Sequence, residues 1–225
     1  MMTKRARMIV ALASTSEADD RFIWDRIRTI QTEMFAAGPV VIKFAYFGRE
    51  GALKTRPYIT TSWATDPDDM AAIMDRGRAG CVCGCYVPIT DILEQALRET
   101  RQGPVQAVVI VGDCFHGDFD DVVATARQLR AAGSRLFLFQ QGGSSHTERA
   151  FKILAEVTGG AYFQINQHVE AVAQRLPGML EAVTNFVIGG TAALEARGND
   201  SDILLLQQMD AADQIEQGIP PRIEA

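Results

Sequence analysis

The chain has 225 residues, 47% hydrophobic and 22% charged, which is close to the globular average and excludes disordered and fibrous classes. Lys+Arg of 22 against Asp+Glu of 28 leaves a net charge of −6, so a broad phosphate-binding surface, and with it a nucleic-acid partner, is not expected. No stretch approaches the roughly 20 apolar residues of a membrane-spanning helix, so no membrane insertion is expected either.

Thr3-Lys4-Arg5-Ala6-Arg7, followed by Met8 to Ala13, imitates a secretory signal. Its apolar part is too short for one, and Ser14-Thr15-Ser16-Glu17 ends it. Arg7 to Ala13 therefore reads as a first strand covered on both faces. Asp19 or Asp20 caps the next segment, where Ile23, Ile27, Ile30 and Met34 fall at helical spacing and Trp24 and Phe35 widen the stripe. Gly38-Pro39 stops that helix, and Val40 to Phe47 is a second strand. After a turn from Gly48 to Gly51, Tyr58 to Trp63 reads as an antiparallel edge strand, with Pro57 at its start.

Asp66-Pro67-Asp68-Asp69 opens a short helix that ends at Gly77 or Gly80, and Ile89, Ile92, Leu93 and Leu97 mark another. Val105 to Val111 is the central strand. Phe119 to Ala132 is helical, with Asp118, Asp120 and Asp121 at its positive end. Leu136 to Phe139 is a strand, Glu148 to Thr158 a helix and Ala161 to Ile165 a last strand. Val169 to Val187 closes the domain as a helix, with a kink expected at Pro177.

Beyond Gly190 the pattern fades. Asn199-Asp200-Ser201-Asp202 reads as a break, Ile203 to Leu206 as a small apolar patch and Ile219-Pro220-Pro221 as an unstructured end. The expected organisation is a domain over 1–190 and a C-terminal tail over 191–225. That tail is partly disordered or docks, on the domain itself or on another subunit to make a homo-oligomer. Strands alternating with helices predict an α/β fold with helices on both faces of a mostly parallel sheet. Three of the four cysteines crowd into five positions, which suggests no disulfide framework and a cytoplasmic location.

In an open parallel sheet, ligands bind beyond the carboxyl ends of the strands, where the strand order reverses. The first such loop, Ala13 to Asp20, contains no glycine, which removes both a dinucleotide fingerprint and a P-loop. Gly142-Gly143-Ser144-Ser145-His146 sets serine beside histidine without the Gly-x-Ser-x-Gly spacing, and reads as a helix start capped by Ser144 or Ser145. His116 and His168 lack a serine or carboxylate relay in sequence. No enzyme is expected.

The order of elements, with an edge hairpin after the second strand, resembles a von Willebrand factor A (vWA) domain. Several segments carry the likeness: Trp24-Asp25 through Gln31-Thr32-Glu33-Met34-Phe35, Val109-Ile110-Val111-Gly112-Asp113, Leu136-Phe137-Leu138-Phe139-Gln140, and Thr158-Gly159-Gly160-Ala161-Tyr162-Phe163. Over about residues 6–190 the chain resembles stand-alone bacterial vWA proteins. The resemblance implies a Rossmann-like three-layer fold with one antiparallel edge strand. It also implies a metal-ion-dependent adhesion site (MIDAS), in which Asp-x-Ser/Thr-x-Ser, a threonine and an aspartate hold Mg²⁺ or Mn²⁺.

Against that pattern the implied site is degenerate. Ala13 stands where the first aspartate belongs, Thr15 matches the first hydroxyl position and Glu17 stands at the second. The threonine of the next loop falls near Val87 or Pro88, neither with a side-chain oxygen, and Asp113 fits its place at the end of the central strand. Glu17, Asp19 or Asp20 would have to supply the missing carboxylate. The reading is a non-catalytic adaptor that binds a protein partner through Ser14, Thr15, Ser16, Glu17, Asp19 and Asp113. It needs no cofactor, or takes Mg²⁺ or Mn²⁺ at Thr15, Glu17 and Asp113. The alternative is a thiolate metal-binding or redox-sensing protein. Cys81, Cys83 and Cys85 would face Cys114 and His116 at the same end of the sheet, a soft set suited to Zn²⁺.

Overall fold

A computed structural model describes residues 5–13, 25–47, 58–80, 89–113, 115, 117–165 and 175–216. The elements in chain order are β1 (Ala6–Ala13), α1 (Gln31–Ala36), β2 (Val40–Phe47), β3 (Tyr58–Ala64), α2 (Pro67–Gly80), α3 (Ile89–Thr100) and β4 (Ala107–Gly112). They continue as α4 (Phe119–Ala131), β5 (Arg135–Gln141), α5 (Ser145–Thr158), β6 (Ala161–Ile165), α6 (Arg175–Arg197) and α7 (Asp200–Glu216). Residues 25–29 are also helical and lead into α1.

The strands form one sheet in the order β3-β2-β1-β4-β5-β6. All neighbours are parallel except β2 and β3, which makes β3 the antiparallel edge expected from Tyr58 to Trp63. Alternation of side chains divides the core into two layers. Met8, Val10, Leu12, Val109, Val111, Phe137 and Phe139 pack with Ile27, Met34, Leu180 and Val183 on one face. Ile9, Ala11, Val108, Ile110, Leu136 and Leu138 pack with Ile92, Val122 and Phe151 on the other. Because helices cover both faces, β4 is buried at every position, which is why it appears in sequence as an unbroken apolar run.

Caps set the helix starts. Asp66 Oδ1 accepts the Asp69 N–H at 2.8 Å, Asp118 Oδ1 accepts the Asp120 and Asp121 N–H groups at 3.0 and 3.1 Å, and Ser144 Oγ accepts that of Thr147 at 3.3 Å. The Thr158-Gly159-Gly160 turn is likewise built for its place. Gly159 ends α5 in the left-handed conformation at φ 63°, and Thr158 Oγ1 accepts the Leu136 N–H at 3.1 Å, tying the turn to β5.

The kink expected at Pro177 is absent. α6 begins at Arg175, so Pro177 lies in its first turn, where a missing N–H breaks no intrahelical bond. The irregularity is at Gly190, at φ 67° and ψ −162°, and the helix runs on to Arg197. The break expected at 199–202 is a helix start, in which Gly198 turns at φ 61° and Asn199 Oδ1 accepts the Asp202 N–H at 2.9 Å. α7 then buries Leu205, Met209 and Ala212 and packs on α5, α6 and β6. Arg130 Nη2 donates to Asp213 Oδ1 at 2.8 Å, fixing α7 to α4.

Toward the amino-terminal end of β1, Glu99 is 4% exposed and lies between two cations, Arg7 at 2.8 Å and Lys43 at 2.5 Å. The Trp63 ring lies 4.3 Å from the Arg7 guanidinium carbon. Burial opposes ionisation of Glu99. The hydrogen bond and charge of Lys43, the charge of Arg7 and a hydrogen bond from Gln95 outweigh it and hold the carboxyl below its ordinary 4.5.

Candidate functional site

From β1 the chain crosses to β2 on one side, and from β4 to β5 on the other, so the strand order reverses between these two neighbours. In open α/β sheets, ligands bind beyond the carboxyl ends of two such strands. Ala13 pairs with Gly112, so β1 and β4 end level and Asp113 is the next residue out. Asp113 is half-buried, and its carbonyl accepts the Thr147 hydroxyl at 3.4 Å, which ties the end of β4 to the first turn of α5.

An aromatic wall stands beside it. Buried Phe115 meets Phe119 edge-on at 6.0 Å and His146 at 5.8 Å, bridging the starts of α4 and α5. α3 reaches the same end, because a Cβ on Gly117 would lie 3.0 Å from Thr90 Oγ1. Gly117 sits at φ 144°, so both its backbone and its closeness to Thr90 favour glycine. Along the other side, Tyr162 donates to Gln140 Oε1 at 2.7 Å and Gln140 Nε2 donates to the Ser144 carbonyl at 2.9 Å. Burial, with help from the Glu148 charge, pushes the Tyr162 phenol up to about 12, so it remains a hydrogen-bond donor rather than a base.

No family model matches the chain, and no curated protein matches it. Solved structures do. The SpRpn10 VWA domain superposes with a TM-score of 0.55 at 13% identity, covering 76% of this chain and 93% of that one. A von Willebrand factor type A protein from Catenulispora acidiphila gives 0.55 at 13% identity, covering 83% of this chain and 44% of that one. Proximal thread matrix protein 1 from the mussel byssus, with a zinc-occupied MIDAS motif, gives 0.54 at 13% identity over 81% and 48% of the two chains. The fold is that of a von Willebrand factor A domain. This chain spans less than half the length of the latter two proteins.

Within the vWA fold, Asp113 occupies the strand end expected of it. Ser14, Thr15, Ser16, Glu17, Asp19 and Asp20 lie outside the described residues, as do Trp24, Cys81, Cys83, Cys85, Cys114, His116 and His168. Sequence reasoning sought a threonine near Val87 or Pro88 and passed over Thr90, just inside α3. It also passed over the Phe115, Phe119 and His146 wall, of which the only trace in sequence was two phenylalanines flanking Gly117.

The donor set can be tested for Mg²⁺ or Mn²⁺, which want several hard oxygen ligands. Ala13 contributes no side-chain oxygen, and no group of three His, Cys, Asp or Glu comes together among the described residues. These residues alone do not fit a divalent-cation site. No helix among the described residues is long and apolar enough to cross a membrane.

Among the described residues, one polar group at this end is stranded. Gln141 closes β5 at 2% exposure, and neither Oε1 nor Nε2 meets a hydrogen-bond partner among the described residues. A buried amide without partners costs stability that an apolar side chain of similar size does not. Gln141→Met should therefore raise the urea midpoint by the equivalent of about 1 kcal/mol. A lower midpoint would mean that the amide is engaged.

Proposed function

We propose that this chain is a non-catalytic adaptor of the vWA fold that binds a protein partner at the carboxyl-terminal face of its sheet. The observation that carries the reading is Asp113 at the level end of β1 and β4, at the reversal of strand order, with the Phe115, Phe119 and His146 wall beside it. Ser14, Thr15, Ser16, Glu17 and Asp19 follow the last residue of β1 in sequence and are proposed as part of this face. The hydroxyl of Ser144, two residues before His146, accepts the Thr147 N–H of its own helix, which favours a capping role over a nucleophilic one. The proposal places the chain in the cytoplasm, on the crowding of three of its four cysteines into five positions, which suggests no disulfide framework.

Recognition is proposed to be independent of a metal, because Ala13 stands where the first aspartate of the adhesion-site pattern belongs. In a titration with a partner captured and identified on the wild-type chain, Asp113→Ala should weaken binding at least about tenfold, or about 1.4 kcal/mol. Its far-ultraviolet circular dichroism should not change. Unchanged affinity would remove Asp113 from the face. Chelation with EDTA should leave wild-type binding intact, and loss on chelation would instead place a cation at Thr15, Glu17 and Asp113.

The thiolate reading keeps one observation in its favour. Thr90, at the start of α3, meets Gly117 just beyond β4, so the segments carrying Cys81, Cys83 and Cys85 and carrying Cys114 and His116 each adjoin residues of this end. Elemental analysis of anaerobically purified protein decides it: one zinc per chain, lost on Cys83→Ser or Cys114→Ser, would put it first. Oligomerisation through the C-terminal segment is not part of the proposal, since Leu205, Met209 and Ala212 are buried within the chain and exposed Ile203 is too small a patch to specify a dimer.

A further inference from the structure

We propose that the groove between α4 and α5, next to Asp113, receives a partner segment in which a large apolar side chain lies close to a carboxylate. This rests on the adaptor reading and names the chemistry of the partner. The groove encloses about 240 Å³ and is lined by Phe119, His146, Arg149, Ala150 and Ile153. It is smaller than the roughly 300–1,000 Å³ of a typical small-molecule pocket, and so suits a single anchoring side chain. Phe119, at 36% exposure, is one of two exposed large hydrophobic residues among the described residues. Phe115 braces both banks through its edge-on contacts, so the apolar walls are held apart without a partner present. A rigid aromatic anchor site of this kind contributes disproportionately to binding.

Charge selects the rest of the segment. Exposed Arg149 stands on the α5 bank and makes no hydrogen bond or ion pair among the described residues. The acid beside it in sequence, Glu148, is already taken by Lys152 at 2.6 Å. On the α4 bank, Asp118 caps the helix and Asp120 and Asp121 lie in its first turn, and none of the three lines the groove. Among the residues that line the groove, the guanidinium of Arg149 is thus the charge a partner meets, and it matches a carboxylate in geometry as well as sign. A segment with the opposite charge would set its cation against it.

Two probes with one apolar body separate these features: 4-phenylbutyrate and 4-phenylbutylamine, titrated into the full chain and followed by the Ile153 methyl and Ala150 amide resonances. The carboxylate should bind at millimolar concentrations and at least about fivefold more tightly than the amine. Arg149→Gln should equalise the two, and Phe119→Ala should weaken both while leaving the far-ultraviolet circular dichroism unchanged. Equal binding of the two probes by the wild type, or no shift at Ile153, would overturn the proposal. Asp113→Ala should retain the phenylbutyrate response while losing the protein partner. Partner loss without any wild-type probe response overturns the groove alone, whereas a probe response with undiminished partner binding overturns the role of Asp113 alone.

Discussion

Glu99→Gln should destabilise the fold by about 3 kcal/mol at pH 7, read as a lower urea midpoint with an unchanged slope. Glutamine keeps an acceptor but removes the charge that compensates Arg7 and Lys43, whose side chains are only 15% and 12% exposed. Two cations would then face each other across a neutral group, away from water, and the cost is that of an uncompensated buried charge rather than of one lost hydrogen bond. Lys43→Met should cost less, because Arg7 still holds the carboxylate at 2.8 Å and donates to the Glu99 and Gly103 carbonyls as well. The pH dependence has a definite sign. The folded carboxyl titrates below its ordinary 4.5, so its contribution is complete above that value and is lost as the pH falls through the folded pKa. The gap between wild type and Glu99→Gln should therefore narrow on going from pH 6 to pH 3, and a gap constant over that range would show that charge is not its source.

Gly160→Ala is expected to cost about 3 kcal/mol or more, or to prevent folding. A Cβ there would lie 1.8 Å from the Leu136 carbonyl oxygen, and backbone cannot yield as the tip of a flexible side chain does. The clash falls where β6 turns in beside β5, whose pairing begins with Phe137 and Ala161. Gly143→Ala provides the comparison, because nothing lies within 4 Å of its added methyl, and its stability should remain within about 0.5 kcal/mol of wild type. Thermal unfolding of the two variants side by side checks both. A tolerated alanine at position 160 would mean that the β5–β6 edge is looser than its register indicates.

The Thr158-Gly159-Gly160 turn also shows why much of this fold can be read from sequence. Its residue types answer to single local demands: a hydroxyl to hold a strand N–H, a left-handed cap, and a close backbone approach. The covered strands β1 and β4 are legible for a similar reason, since burial on both faces leaves continuous apolar runs. Pro177 misleads because a proline carries opposite meanings in the first turn and in the interior of a helix, and the start of α6 is not marked in sequence. α7 is obscured by the run Ile203 to Leu206, which blurs the stripe that Leu205, Met209 and Ala212 make at helical spacing. At the functional end, Asp113 follows from a rule about where strands stop. Thr90, Phe115, Phe119 and His146 do not, because three separate helices and loops bring them together and no spacing along the chain records it.

The most direct test of the proposed interaction face is amide hydrogen exchange on the full chain, alone and saturated with an identified protein partner. Protection concentrated after Gly112 and through the first turns of α4 and α5, with β3 and α7 unchanged, is the expected result. Protection confined to the β3 edge or to α6 and α7, with the end of β4 exchanging as before, would contradict an interaction face at the carboxyl-terminal end of the sheet.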